Sequence, residues 1–198
     1  MFRRHIIQLG NSGVYVIYDE LEGKEAVTWS YLLHTVELPM EMKELPNEVQ
    51  VTGKNKAGGV SVAHLFSSAK TEQAIADTFF CAPTNWKNVT NAQGKALKYP
   101  NHWHFTATSE KAQVYRFATV INTHALKYPA KDPEILSDGR IKVGGWLISV
   151  NLKSDGAPSF FIRSTQEKVN ITYKGEATVI NEDGYETVMR DTVPELEI

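Results

Sequence analysis

The chain has 198 residues and a formal net charge of −2 at pH 7, which gives no general attraction to nucleic acid or anionic membranes. This length suits one substantial domain, and we expect a single domain over residues 1–198. The one cysteine, Cys81, excludes a disulfide within the chain, so burial alone or a metal ion must hold the fold together. No stretch has the apolar length of a membrane span, and we expect no signal peptide at the N-terminus.

Three runs rich in β-branched and aromatic residues open the chain and predict three strands. They cover residues 3–9, 14–19 and 26–35. Each run carries one candidate metal ligand, and these are His5, Asp19 and His34. Two imidazoles and a carboxylate form a ligand set that suits zinc.

The length of the first turn decides whether His5 and Asp19 can share an ion. A three-residue loop with Gly13 in the left-handed conformation places His5 opposite Asp19, with Cβ atoms about 5 Å apart. A two-residue loop pairs His5 with Tyr18 and turns Asp19 to the other face. For His34 to join them, the third strand must cross to another sheet, because a simple antiparallel return leaves His34 roughly 26 Å from Asp19. The zinc site therefore requires the longer loop and a crossing, which we expect in the link at residues 20–25.

The segments RRHIIQL, GVYVIYDEL and TWSYLLHT resemble the opening of the β-domain of heparinase II/III-type polysaccharide lyases. Enzymes of this family join an α/α toroid to an antiparallel β-sandwich and cleave uronate-containing polysaccharides by β-elimination. In several members the sandwich binds a largely structural zinc ion through two histidines and an aspartate. The resemblance implies those roles for His5, Asp19 and His34. It covers the first third of the chain well and the remainder as a succession of strands.

The chain also departs from this family pattern. It has no series of amphipathic helices that could form the toroid. Arg3 stands where some members carry a catalytic histidine. The resemblance therefore implies the non-catalytic part of a longer lyase, inactive alone and with no catalytic residue of its own. Its partners would be an acidic polysaccharide and the toroid domain, and its location would be periplasmic or secreted, with the signal upstream.

A strand pair is predicted at residues 49–53 and 59–67. Val60, Val62, His64 and Phe66 alternate on one face of the second strand. We expect His64 to be a partly buried histidine with one hydrogen-bonded nitrogen. It is also the alternative metal ligand in place of His34.

The run at residues 83–105 interleaves aromatic residues with lysines and amides. Flat aromatic faces stack on sugar rings, and ammonium groups bind carboxylates. The predicted saccharide contacts are Trp86, Lys87, Lys95, Tyr99 and His102. The alternative is an ordinary loop, with Trp103 and Phe105 entering the next strand and facing the core. His102 and His104 would then lie on the opposite face, as a candidate second metal pair.

The rest of the chain is predicted to be strands separated by Gly and Asp turns. Residues 102–108 and 113–124 are expected to pair as a hairpin, and Gly144 and Gly145 to mark a bulge or a close approach of backbones within a strand. The predicted fold is all-β, an antiparallel β-sandwich of two packed sheets with little helix.

The leading functional hypothesis is the β-sandwich part of a heparinase II/III-like lyase, which stabilises the enzyme and lines its polysaccharide cleft. One alternative is a stand-alone carbohydrate-binding module without metal, which binds sugar through Trp86, Tyr99 and the nearby lysines. Another is a structural sandwich that packs against a partner domain through an exposed apolar face.

Overall fold

A computed structural model describes residues 1–36, 38–77, 80–81, 84–85, 90–96, 102–127 and 132–190. Every regular element in these residues is a β-strand, so the all-β prediction is confirmed. The described part of the chain therefore contains no helix that could span a membrane. The chain divides into two compact units, Met1–Ala130 and Lys131–Ile198. The expectation of one domain over the whole chain stays a prediction.

The first unit contains eleven strands of the described residues. They are β1 (Phe2–Gln8), β2 (Val14–Val27), β3 (Ser30–Val36), β4 (Glu41–Leu45), β5 (Glu48–Lys54), β6 (Gly59–Ser67), β7 (Thr71–Ala76), β8 (Phe80–Cys81), β9 (Thr84–Asn85), β10 (His102–Ser109) and β11 (Ala112–Ala125). Nine of them form two antiparallel sheets, one of six strands in the order β1-β2-β11-β6-β5-β4 and one of three in the order β3-β10-β7. The predicted pairing of β5 with β6 is confirmed.

The two sheets of this unit pack against each other around a shared core. Side chains alternate between the two faces of a strand, so every second side chain points to the inner face of the sandwich. The six-stranded sheet contributes Leu65 and Phe117, and the three-stranded sheet contributes Tyr31 and Phe105. Phe117 lies between two tyrosine rings, with its centroid 5.5 Å from that of Tyr31 and 4.9 Å from that of Tyr115. This sandwich agrees with the predicted architecture.

Two of the crossings of the chain between these sheets, β2 to β3 and β10 to β11, adjoin each other. β2 continues to Val27, so the predicted link at residues 20–25 is strand and the crossing comes after it. At this crossing the Trp29 backbone N–H donates to Ser109 Oγ at 2.9 Å, and Trp29 Nε1 donates to the Ala112 carbonyl at 2.9 Å. The second crossing follows Ser109 and joins β10 to β11. Trp29 therefore links both crossings, through its backbone and its indole.

The predicted hairpin between residues 102–108 and 113–124 is wrong. Its two strands, β10 and β11, lie in different sheets. Phe105 of β10 and Phe117 of β11 both enter the core, from opposite sides. Because the two apolar faces oppose each other, the short link becomes a crossing and not a hairpin turn.

The described residues of the second unit form seven strands. They are β12 (Glu134–Ile135), β13 (Ile141–Val143), β14 (Trp146–Val150), β15 (Ser159–Ser164), β16 (Val169–Lys174), β17 (Ala177–Glu182) and β18 (Tyr185–Arg190). They follow one another in a single antiparallel meander. Gly144 and Gly145 form the turn between β13 and β14, so the predicted bulge within one strand is wrong. Gly144 has a φ of 55°, which the absence of a Cβ atom makes easy.

Candidate functional site

The register of the first hairpin separates two of the three predicted zinc ligands. His5 lies opposite Tyr18, and Arg4 lies opposite Asp19. Successive side chains of a strand point to opposite faces, so His5 and Asp19 lie on different faces of the sheet. The predicted pairing of His5 with Asp19 is therefore wrong.

The reason is the length of the turn between β1 and β2. The Leu9 backbone N–H donates to the Val14 carbonyl at 2.9 Å, which leaves four residues in the loop and shifts the register by one. Gly13, with a φ of 73°, ends this loop. Its carbonyl accepts from both the backbone N–H and the hydroxyl of Thr123, at 2.9 and 2.8 Å. A Cβ atom at Gly13 would lie 2.5 Å from the Thr123 carbonyl oxygen, so this close approach requires glycine.

Asp19 is engaged by a guanidinium group. Its side chain is 2 % exposed, and its two oxygens accept from Arg4 Nε at 2.6 Å and Nη2 at 2.8 Å. The hydrogen bond to Asp19 raises the pKa of Arg4. The Arg4 guanidinium also lies over the Tyr31 ring, 5.5 Å from its centroid. With Asp19 paired in this way and His5 on the other face, the predicted ligand set does not fit a shared metal ion.

His5 belongs instead to a buried charged cluster around Glu20. Glu20 Oε1 lies 3.1 Å from His5 Nε2, and Glu20 Oε2 lies 3.6 Å from Arg3 Nη1. Arg116 of β11 is the register partner of Glu20 on the same face, and both residues are buried. The sequence carries a signal for this cluster, since charged residues stand within the three strands, at Arg3, Glu20 and Arg116.

His64 lies on the face that the strand pattern predicted, and it is fully rather than partly buried. It is 2 % exposed, and its Nδ1 lies 3.1 Å from Glu48 Oε2. Its Nε2 is buried without a hydrogen-bond partner, so one nitrogen is satisfied. Within the described residues, no group of three or more His, Cys, Asp or Glu side chains is placed to hold a metal ion. His64 therefore gains no support as the substitute for His34.

His34 lies on the other sheet, next to two further histidines. It is the register partner of His104 in β10, and the two ring centroids are 5.9 Å apart. His102 shares the face of His104 because it lies two residues away on the same strand. Phe105 is fully buried on the opposite face. This confirms the prediction that His102 and His104 lie on the face of the strand opposite Phe105. We call the set of His34, His102 and His104 the histidine row.

Burial lowers the pKa of His34 from its ordinary value of 6.5, and the nearby His104 and His102 lower it further. Unfolding removes these effects, so protonation below about pH 6.5 favours the unfolded chain and His34 stabilises the fold less as the pH falls. We expect an NMR titration of the metal-free protein to show a pKa for His34 below 6.5. His104→Ala should raise that pKa, and His5→Ala should leave it unchanged. A pKa for His34 unaffected by His104→Ala would contradict the proximity of the two rings.

The predicted saccharide contacts are only partly within the described residues. Trp86, Lys87 and Tyr99 lie outside them. Lys95 is exposed beside a turn in which Asn91 Oδ1 accepts from the Lys95 backbone N–H at 2.9 Å. His102 is exposed at the start of β10. The predicted contacts with sugar therefore stay predictions.

A groove of about 540 Å³ lies at one end of the first unit. Its polar lining includes His34, Lys54, Asn55, Thr123 and His124. Gly53 of β5 lies at the groove, where a Cβ atom would come within 2.5 Å of Thr35 Cγ2. Glycine at this position therefore lets the two sheets approach each other. Sequence reasoning missed the groove because its residues come from β3, β5, β6 and β11, which are far apart in the chain.

One histidine of the groove has an unsatisfied nitrogen. His124 Nδ1 is buried and makes no hydrogen bond within the protein. Buried polar atoms without partners are rare and call for an explanation. At the wall of a groove, a bound hydroxyl or carboxyl group could supply the partner.

Comparison with protein-family models and with curated proteins gave no match to this chain. The residues themselves must therefore support any assignment of function.

Proposed function

We propose that the chain is the non-catalytic β-sandwich part of a heparinase II/III-like polysaccharide lyase, and that it binds an acidic saccharide in the groove. The segments that resemble the family lie on β1, β2 and β3. Two packed antiparallel sheets are the architecture that such a β-domain would need. The acid and base that abstract the proton α to the uronate carboxyl group would belong to the toroid domain of the longer protein. Such an enzyme would be periplasmic or secreted.

The observation that carries this proposal is the polar lining of the groove. Lys54 supplies an ammonium group, which lies 2.7 Å from Glu41 Oε1 on the exposed side. The Asn55 side-chain oxygen accepts from the Gly59 backbone N–H at 2.8 Å, which leaves the amide nitrogen as a donor. Together with His124 Nδ1, these groups suit a ligand that carries both carboxylates and hydroxyls.

The test is the affinity of the purified chain for uronate oligosaccharides, measured by calorimetry. Lys54→Ala is expected to weaken binding roughly tenfold, since one charge-assisted hydrogen bond is worth about 1.5 kcal/mol. Lys43→Ala is the matched control, because Lys43 is exposed on β4 and does not line the groove. A neutral glucan should bind far more weakly than the uronate oligosaccharide.

Two results would contradict the groove as the binding site. The first is equal loss of affinity in the Lys54 and Lys43 variants, which would indicate a general charge effect. The second is saccharide binding unchanged by Lys54→Ala but abolished by Trp86→Ala, the result expected of a stand-alone carbohydrate-binding module. A chain that binds no saccharide would instead favour a structural sandwich.

A further inference from the structure

The histidine row holds three of the six histidines in the chain. His34 and His104 face each other across two hydrogen-bonded strands, and His102 follows on the same face of β10. Directly opposed side chains in an antiparallel pair have Cβ atoms about 4.5–5.5 Å apart. The inner face of the same strands carries core residues such as Tyr31 and Phe105. The row therefore lies on the outer face of the three-stranded sheet.

The spacing of the first two rings is close to that of two ligands of one ion. Their centroids are 5.9 Å apart, and their planes are inclined by 32°. Two imidazoles bound to one zinc ion have ring centres roughly 5 Å apart, because each nitrogen lies about 2.0–2.1 Å from the metal. A small rotation of either ring would bring the two ring centres to the separation that a shared zinc ion requires. The neighbour of His104 on its other side is Ala76 of β7, whose side chain is small.

The surroundings of the row differ from those of two other histidines. His5 and His64 each lie 3.1 Å from the carboxylate of a buried glutamate. In contrast, the charged groups that shift the pKa of His34 are His104 and His102, and they lower it. Histidines therefore lie beside His34, and imidazole is a common metal ligand.

We propose that His34, His104 and His102 bind one divalent transition-metal ion. Three imidazoles suit zinc, with the fourth coordination position left to water. The three side chains do not converge as they stand, so His102 must rotate when the ion binds. Its exposed position at the start of β10 permits that rotation, and exposed side chains change rotamer within nanoseconds. This site shares only His34 with the zinc site predicted from the sequence, and it does not depend on the saccharide-binding proposal.

The experiment is a titration of the full chain, freed of metal with EDTA, with Zn²⁺ in a calorimeter and with Co²⁺ followed by its visible absorption. We expect one ion per chain and the intense absorption of tetrahedral cobalt. His104→Gln should weaken zinc binding by at least about 100-fold, since even loss of a residue that only supports a ligand typically costs 10–100-fold. His102→Gln should also weaken binding and should change the cobalt spectrum.

His5→Gln is the matched control, because it changes a histidine of the same unit that lies in another sheet. It should leave zinc affinity unchanged, and circular dichroism should show that each variant is folded. The absence of saturable zinc binding would overturn the proposal, and so would binding that survives His104→Gln. His104 does not line the groove, so failure here is distinguishable from failure of saccharide binding, which Lys54→Ala tests.

Discussion

Phe117→Ala is expected to lower the free energy of unfolding of the first unit by about 3–5 kcal/mol. Phe117 is 1 % exposed and lies in the core between the two sheets. Its ring contacts those of Tyr31, from the opposite sheet, and Tyr115, from its own strand. Alanine would remove this apolar surface from the core and leave a cavity between rings that cannot fully collapse.

Urea denaturation followed by tryptophan fluorescence would measure this loss. Phe2→Ala is the matched control in the same unit, because Phe2 is 63 % exposed and its ring lies under the Arg4 guanidinium at 5.6 Å. The control should cost about 1 kcal/mol or less. Equal losses in the two variants would show that the sandwich is not held together at Phe117.

The strands and their faces could be predicted from the sequence because the alternation of side chains is a local property. Val60, Val62 and Phe66 share a buried face with His64, as the pattern indicated. The same alternation separated His102 and His104 from the buried Phe105. Neither result depends on which strand lies alongside.

The register of the first hairpin could not be predicted in this way. Gly10 and Gly13 both adopt positive φ, so the turn sequence permits loops of more than one length. The four-residue loop is fixed by Thr123, which donates twice to the Gly13 carbonyl from 110 residues further along the chain. A one-residue change of register turns Asp19 to the other face, and this long-range contact therefore decides whether a metal site exists there.

The candidate sites depend on contacts of the same kind. His34 and His104 are 70 residues apart in sequence and meet only because β3 pairs with β10. The β10–β11 link looked like a hairpin turn, whereas the packing of Phe105 against the opposite sheet makes it a crossing. Pattern and turn chemistry predicted which side chains share a strand face. Core packing decided which faces meet.

Arg4→Met is expected to lower the free energy of unfolding by about 2–3 kcal/mol. It would leave the buried Asp19 carboxylate without the guanidinium that now binds both of its oxygens. Breaking a fully buried pair costs about 3–5 kcal/mol, and we expect less here because the Arg4 side chain is 38 % exposed. Arg140→Met is the matched control, since Arg140 pairs with Asp138 at the surface, and thermal denaturation should detect no change for it.

A double variant, Arg4→Met with Asp19→Leu, should recover much of the lost stability, because it removes the buried charge together with its partner. Zinc provides the decisive comparison. If Asp19 were a metal ligand, freeing it from Arg4 would strengthen zinc binding, and zinc would raise the melting temperature of Arg4→Met more than that of the unchanged chain. We expect zinc to give the same increase in both, because the histidine row lies on the outer face of the other sheet. A larger increase in Arg4→Met would return Asp19 to the metal site and would show that the hairpin register is wrong.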